Sequence, residues 1–204
     1  MFQHKVTLLM ATAALAVLFA GAVIAKPEVG QPAPVFTAAD STGKTWSLES
    51  LRGSPVILEW TNDHCPYVVK HYETGNMQEL QRDAAEEGYV WLSVISSAPG
   101  KQGYVSPEKA DELTSLRNAA PSAVLLDADG SIGQAYAART TPHMYVIDET
   151  GTLVYMGGID DKPTTDPADV AGAENYVRLA MADRAAGKPV QQAVTRPYGC
   201  SIKY

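Results

Sequence analysis

The chain has little cysteine. Its 204 residues include only Cys65 and Cys200, which lie far apart in the sequence. It therefore lacks the Cys-x-x-Cys pair that structural zinc sites and simple dithiol reductases use. Copper binds thiolate, imidazole and thioether groups, so Cys65 with His64, His143 and Met144 leaves a copper carrier open as an alternative.

Basic residues are also scarce. The chain has 16 Lys and Arg against 23 Asp and Glu, for a formal net charge of −7 at pH 7. An acidic protein repels the phosphate backbone of nucleic acids. The composition therefore argues against nucleic acid as a partner.

A long apolar run occurs once, at residues 6–25, and it contains no charged residue. Lys5 precedes it, and Val23-Ile24-Ala25 ends it before the polar Lys26. This pattern predicts a signal peptide, residues 1–25, and export to the periplasm or cell envelope. An uncleaved membrane anchor is the alternative, and only then would the protein associate with a membrane. Residues 26–204 are expected to form one domain.

The remaining sequence alternates between apolar strand patterns and helical patterns. Strands at residues 35–40 and 44–48 flank a Ser-Thr-Gly turn and predict a β-hairpin. Further strands are expected at 55–60, 89–95, 123–126, 144–147 and 153–156, and helices at 67–87, 107–118, 131–138 and 167–186. The Gly75-Asn76 pair is a candidate break within the first helix. This order predicts an α/β fold with a central sheet and a C-terminal tail.

Cys65 lies where the strand at 55–60 gives way to a helix. Asn62 or Asp63 is a candidate helix cap, and Pro66 suits the first helical turn. Functional groups in such folds gather at the carboxyl ends of parallel strands. A helix N-terminus favours the thiolate form of a cysteine, which is the reactive form. Cys65 is therefore the predicted nucleophile.

Several short motifs resemble those of thioredoxin-like proteins. Cys65-Pro66-Tyr67-Val68 resembles the Cys-Pro-Tyr-Cys site of glutaredoxins, with Val68 in place of the second cysteine, and the Cys-Pro pair of peroxiredoxins. The Gly-Gln-Pro-Ala-Pro-Val-Phe stretch at 30–36 is similar to the start of redoxin domains. Thr141-Pro142 precedes a predicted strand, as does the cis-proline that packs against the reactive cysteine in this superfamily.

The set as a whole resembles the peroxiredoxin-like (redoxin) branch of the thioredoxin-like superfamily. It includes Asp-His-Cys-Pro-Tyr-Val at 63–68, Ile-Asp-Asp at 159–161 and Gly-Cys-Ser-Ile-Lys at 199–203. The resemblance implies a thioredoxin-like fold, with a central mixed sheet flanked by helices and an N-terminal β-hairpin extension. It implies a thiol-dependent oxidoreductase without a cofactor. In that case Cys65 is the nucleophile, Cys200 resolves the adduct, and Thr141 and Pro142 shape the substrate groove.

Two departures from peroxiredoxins bear on the substrate. Those proteins carry Thr or Ser three residues before the reactive cysteine and Pro seven residues before it, where this chain has Asn62 and Leu58. The departures favour thiol–disulfide exchange, whereas the Cys-Pro pair and the redoxin layout favour thiol peroxidase (antioxidant) chemistry. The expected partners are an external dithiol reductant and a thiol or disulfide protein substrate, or a peroxide.

A non-catalytic alternative also remains. A permanent Cys65–Cys200 disulfide would close a loop of about 136 residues and stabilise a binding or structural protein by about 5 kcal/mol. Asp160 and Asp161 are interpreted here as turn and surface acids.

Overall fold

The structure is a computed structural model that describes residues 26–204. The predicted signal peptide, residues 1–25, lies outside the described residues, so the expected cleavage site stays a prediction. Within residues 26–204, no helix has both the length and the apolar character needed to cross a bilayer.

The described residues form nine strands and five α-helices. The strands are β1 (Thr37–Ala39), β2 (Thr45–Ser47), β3 (Val56–Trp60), β4 (Val90–Ile95), β5 (Ala123–Leu126), β6 (Thr140–Thr141), β7 (His143–Ile147), β8 (Leu153–Gly157) and β9 (Cys200–Ser201). The helices are α1 (Pro66–Glu73), α2 (Asn76–Glu86), α3 (Pro107–Leu116), α4 (Ser131–Ala135) and α5 (Tyr176–Ala185). Short 3-10 helices span Glu49–Leu51 and Pro167–Gly172.

The central sheet has five strands in the order β5-β4-β3-β7-β8. The β3–β4 and β4–β5 pairs are parallel, whereas β7 runs antiparallel to both β3 and β8. Every residue of β3 is buried because β3 lies in the middle of the sheet and both of its faces are covered. The expected mixed sheet flanked by helices is confirmed.

Each face of the sheet has its own apolar core. On one face, Ile57 and Val146 pack with Val68 of α1, Leu80 of α2 and Val177 of α5. On the other face, Leu58 and Trp60 pack with residues of the N-terminal segment and of the α4 region, including Phe36, Leu48, Ile132 and Tyr136. Cys65 belongs to the first core, so the thiol lies on the helix-covered face, near the carboxyl end of β3.

The N-terminal hairpin is confirmed, with Ala38 opposite Trp46 in antiparallel register. Asp40 holds its turn: Oδ1 accepts hydrogen bonds from the backbone of Thr42 and Lys44, at 2.9 and 3.0 Å. Oδ2 accepts the indole N–H of Trp46 at 2.8 Å.

The two long predicted helices are both interrupted. The first divides at Gly75, whose φ of +78° ends α1 and begins α2, as the Gly-Asn pair indicated. The continuous helix predicted at 167–186 is wrong. Its first part is the 3-10 turn capped by Asp166, and α5 starts only at Tyr176. Asn175 has an extended backbone, and its side chain accepts the N–H groups of Val177 and Arg178, which starts a new helix there.

Candidate active site

Cys65 is itself the N-terminal cap of α1. Its backbone is extended, at φ −82° and ψ 117°, and Pro66 is the first helical residue. The Cys65 carbonyl accepts the N–H groups of Val68 and Val69, both at 2.9 Å. Asn62 takes a different role from the one the sequence indicated, because its side chain accepts the backbone N–H of His64 at 3.0 Å and so shapes the preceding turn.

The Cys65 thiol is fully buried and meets the loop that precedes β7. Its Sγ donates to the carbonyl oxygen of Thr141 at 3.0 Å, across 76 residues of sequence. The Thr141–Pro142 peptide bond is cis. The tertiary fold therefore brings together three of the residues singled out from the sequence: Cys65, Thr141 and Pro142.

Cys200 reaches the same point from the C-terminal tail, which we define as residues 195–204. Strand β9 pairs antiparallel with β6 and places Cys200 opposite Thr141. Cys65 and Cys200 are both free thiols, the first buried and the second partly exposed. Burial, together with the adjoining Cys65 thiol, raises the pKa of Cys200 to about 12. At neutral pH, Cys200 is therefore a protonated thiol in contact with Cys65.

The tail lies across the site and covers Cys65. Ile202 donates its backbone N–H to the Arg139 carbonyl at 3.1 Å, and Tyr204 Oη donates to the Ala138 carbonyl at 2.8 Å. Upstream, the Thr195 hydroxyl accepts the backbone N–H of Gly158 at 3.0 Å. These contacts hold the tail on both sides of Cys200, whose thiol lies beside the fully buried Cys65.

Residues 29–156, which include Cys65 and the cis Thr141–Pro142 bond, match the AhpC/TSA family. The chain belongs to the AhpC/TSA family. The redoxin resemblance is thereby confirmed, and the protein is a thioredoxin-like oxidoreductase. Cys200 lies outside the matched residues, so its role rests on this chain alone. No curated protein matches the sequence.

Solved structures of low sequence identity share the fold of this chain. An uncharacterised conserved protein from Geobacillus kaustophilus superposes with a TM-score of 0.73 at 24% identity, over 87% of this chain and 92% of that chain. A hypothetical protein from Sinorhizobium meliloti 1021 gives 0.74 at 23% identity, over 88% and 96%. A thiol:disulfide interchange protein from Bacteroides sp. gives 0.51 at 17% identity, over 70% and 86%. At these identities the similarity establishes the thioredoxin-like fold.

The AhpC/TSA core also contains a buried carboxyl group that the sequence analysis missed. Glu59, on β3 and six residues before Cys65, is completely buried. It accepts hydrogen bonds from Ser93 Oγ at 2.8 Å, Trp91 Nε1 at 2.9 Å, Tyr72 Oη at 3.0 Å and Gln81 Nε2 at 3.3 Å. Burial raises its pKa, against the opposing effect of these donors. The available signal was an acidic residue inside an otherwise apolar strand.

The structure also corrects the interpretation of the Ile-Asp-Asp motif at residues 159–161. Asp161 is exposed as expected, but Asp160 is only 3% exposed. Its Oδ1 accepts the backbone N–H of Lys162 at 2.9 Å and the hydroxyl of Tyr198 in the tail. Asp160 therefore joins the loop after β8 to the tail, a contact that local sequence cannot reveal.

The structure also places the residues of the copper alternative. No group of three or more His, Cys, Asp or Glu side chains between residues 26 and 204 is arranged to hold a metal ion. The His64 side chain is 69% exposed and lies beside Asp63, whereas His143 is buried and contacts Tyr145 Oη.

Proposed function

We propose that this protein is an exported thiol–disulfide oxidoreductase in which Cys65 is the nucleophile and Cys200 is the resolving thiol. The observation that carries the proposal is the meeting of both thiols at Thr141. The Thr141 carbonyl accepts the Cys65 thiol, and Thr141 pairs with Cys200 in the β6–β9 ladder. Two thiols on separate elements of one fold are thereby placed in contact.

In the first step, the Cys65 thiolate attacks one sulfur of a substrate disulfide. A bond forms between Cys65 Sγ and that sulfur, and the other substrate sulfur leaves as a thiolate. In the second step, the Cys200 thiolate attacks Cys65 Sγ and releases the second substrate thiolate. The substrate gains two electrons, and the protein retains a Cys65–Cys200 disulfide. An external dithiol must then reduce that disulfide.

The tail has to move for this cycle to turn over. A buried sulfur cannot meet a protein substrate, so the tail must lift away from Cys65 before the first step and return for the second. Strand β9 is only two residues long. Local opening of the tail therefore requires much less free energy than unfolding of the core. Once the tail is lifted, Thr140 and Thr141 offer a free strand edge, and Pro142 shapes the groove beside the sulfur.

Peroxide is the second candidate substrate, and the AhpC/TSA match favours it. Two observations weigh against it. The Asn62 side chain accepts a hydrogen bond within its own loop, and Leu58 is fully buried in the core on the other face of the sheet. Neither residue therefore offers a peroxide the hydroxyl or the proline found at these positions in peroxiredoxins. Export is supported by the sequence pattern of residues 1–25 alone.

The proposal is tested with oxidised glutathione as the disulfide probe and mass spectrometry as the readout. The reduced protein, residues 26–204, should form the Cys65–Cys200 disulfide and release two molecules of glutathione. The Cys200→Ser variant should stop at a glutathione adduct on Cys65. The matched Cys65→Ser variant should react slowly at Cys200, because burial still raises the pKa of that thiol when Cys65 is gone. Absence of a Cys65 adduct in Cys200→Ser would overturn the proposal and leave a structural bridge.

The reduced protein also serves to distinguish a disulfide substrate from a peroxide substrate. Stoichiometric hydrogen peroxide is added to the reduced protein, with free cysteine as the rate reference. Oxidation of Cys65 at a rate close to that of free cysteine supports disulfide exchange. Oxidation more than about a hundredfold faster would replace exchange with peroxidase chemistry.

A further inference from the structure

Tyr198, two residues before Cys200, is held by two buried polar side chains. Its hydroxyl donates to Asp160 Oδ1 and lies 3.3 Å from His71 Nε2. His71 is completely buried, and its Nε2 lies 3.8 Å from Asp160 Oδ2. We refer to Tyr198, Asp160 and His71 as the tail knot. None of these three side chains has a role in the thiol–disulfide exchange steps proposed for Cys65 and Cys200.

The tail knot connects the two elements that carry the thiols. His71 lies in α1, the helix that begins immediately after Cys65, whereas Tyr198 lies in the tail that carries Cys200. Asp160 comes from the loop after β8 and fixes the knot to the sheet. The contacts of Tyr198 with Asp160 and His71 therefore fix the position of the tail relative to α1.

The hydrogen bonds of the knot run in one direction. Asn76 Nδ2 lies 2.9 Å from His71 Nδ1, so the amide donates to Nδ1 and the ring proton resides on Nε2. Burial lowers the pKa of His71 to about 3, which keeps the ring neutral. His71 then donates to Tyr198, and Tyr198 donates to Asp160. Only one position of the Tyr198 hydroxyl lets it accept from His71 and donate to Asp160 at the same time.

The ring of Tyr198 is held as well as its hydroxyl. It packs edge-on against Tyr67 with ring centroids 5.8 Å apart, and Lys70 Nζ lies 5.3 Å from the ring centroid. Lys70 is itself buried and donates to the Lys162 carbonyl at 2.7 Å. The side chain is thus fixed by contacts on α1 and on the loop after β8.

We propose that Tyr198 is a positioning residue, which places Cys200 against Cys65 through the tail knot and so sets the stability of the disulfide between them. The inference rests on the proposed function, because it concerns the second step. In that step the Cys200 thiolate bonds to Cys65 Sγ and expels the substrate thiolate. Only Gly199 separates Tyr198 from Cys200. If Tyr198 loses its contacts, Cys200 therefore becomes more mobile, and the effective concentration of its Sγ near Cys65 Sγ falls.

The test compares Tyr198→Phe with Tyr176→Phe. Tyr198→Phe retains the ring and removes the hydroxyl of the knot. Tyr176 lines the same cleft of about 530 Å³ beside the tail, and its hydroxyl bonds to no residue within 26–204. Each variant is equilibrated with mixtures of reduced and oxidised glutathione, and the fraction of Cys65–Cys200 disulfide is measured.

Tyr198→Phe should lower the equilibrium constant for closing the disulfide about tenfold, which shifts the reduction potential about 30 mV less negative. Tyr176→Phe should keep the wild-type potential. Asp160→Ala removes the acceptor of the Tyr198 hydroxyl and should reproduce the shift, and the double variant should add little to it, because both changes break one knot. Asp160→Ala also serves if Tyr198→Phe does not fold.

An unchanged potential in Tyr198→Phe, with or without a lower melting temperature, would overturn the inference and leave Tyr198 a structural residue. The proposed function fails in a different way, by the absence of a Cys65 adduct in Cys200→Ser. That adduct should still form in the Tyr198→Phe/Cys200→Ser double variant, and no more slowly than in Cys200→Ser, because a looser tail uncovers Cys65.

Discussion

Gly199 lies against the backbone of Thr141 so closely that a β-carbon on it would stand 1.9 Å from the Thr141 carbonyl oxygen. The same oxygen accepts the Cys65 thiol. Gly199 also has a φ of +136°, which side chains other than glycine rarely adopt. The tail can therefore cross this point only with glycine at position 199, immediately before Cys200.

The first prediction concerns Gly199→Ala. The added methyl group meets backbone atoms that cannot turn aside, so we expect the tail to lift from the β6 edge. Cys65 should then be alkylated by iodoacetamide at least about tenfold faster than in the wild type, because its cover is lost. Closure of the Cys65–Cys200 disulfide should slow. Both rates are measured by mass spectrometry of the reduced protein.

Gly187→Ala is the matched control for that prediction. Gly187 also has a positive φ, +67°, but a β-carbon there meets nothing within 4 Å. The control therefore carries backbone strain without the clash, and its alkylation rate should match the wild type. Equal alkylation rates for the two alanine variants would show that the tail does not shield Cys65.

The second prediction is that resolution accelerates with pH. Burial and the adjoining Cys65 thiol raise the pKa of Cys200 to about 12. An adduct on Cys65 removes the contribution of that thiol, whereas burial remains. Below its pKa the thiolate fraction grows about tenfold per pH unit, so release of glutathione from the Cys65 adduct should rise continuously from pH 7 to pH 9. A plateau below pH 8 would contradict this, because it would require an acidic Cys200.

The third prediction concerns the buried carboxylate of β3. Glu59→Ala leaves the donors of Tyr72, Gln81, Trp91 and Ser93 without their acceptor and opens a cavity. We expect the free energy of unfolding to fall by about 3 kcal/mol or more, measured by urea denaturation. Glu73→Ala, at an exposed position in α1, should change it by less than about 0.5 kcal/mol. Similar losses in the two variants would mean that Glu59 is not held as described.

The fourth prediction is a loss of stability in mild acid. Burial lowers the pKa of both His71 and His143 to about 3, from an ordinary value of 6.5, with positive charge from Lys70 and Arg139 acting in the same direction. Below pH 6.5 the unfolded chain binds protons that the folded protein does not, so stability falls as pH drops from about 6.5 toward 3. Each histidine should contribute about 2 kcal/mol of loss between pH 7 and pH 5.

The check for the fourth prediction is the pH dependence of urea denaturation in His143→Asn. The raised pKa of Glu59 acts in the opposite sense, since the folded protein then binds the extra proton, so the comparison between variants matters more than the wild-type curve. The free energy of unfolding should depend less steeply on pH in His143→Asn. The difference in slope should correspond to about one proton fewer taken up on unfolding.

Much of the fold followed from local patterns. Apolar runs predicted β3, β4, β5, β7 and β8, and the Ser-Thr-Gly turn predicted the N-terminal hairpin. These elements could be predicted because their hydrophobic periodicity and turn residues lie within each segment. The error at 167–186 arose where two capping residues, Asp166 and Asn175, start separate helical segments nine residues apart. The two-residue strands β6 and β9 were missed because so short a strand has no periodicity.

The sequence by itself determined that Cys65 stands at a strand-to-helix junction beside a redoxin Cys-Pro motif, because neighbouring residues encode that junction. It also determined that Cys200 lies in a tail. Only the tertiary structure decided that the tail covers Cys65, that both thiols meet at Thr141, and that Tyr198 reaches Asp160 and His71. Those relationships depend on backbone approach and side-chain burial between segments distant in the chain, and no local pattern records them.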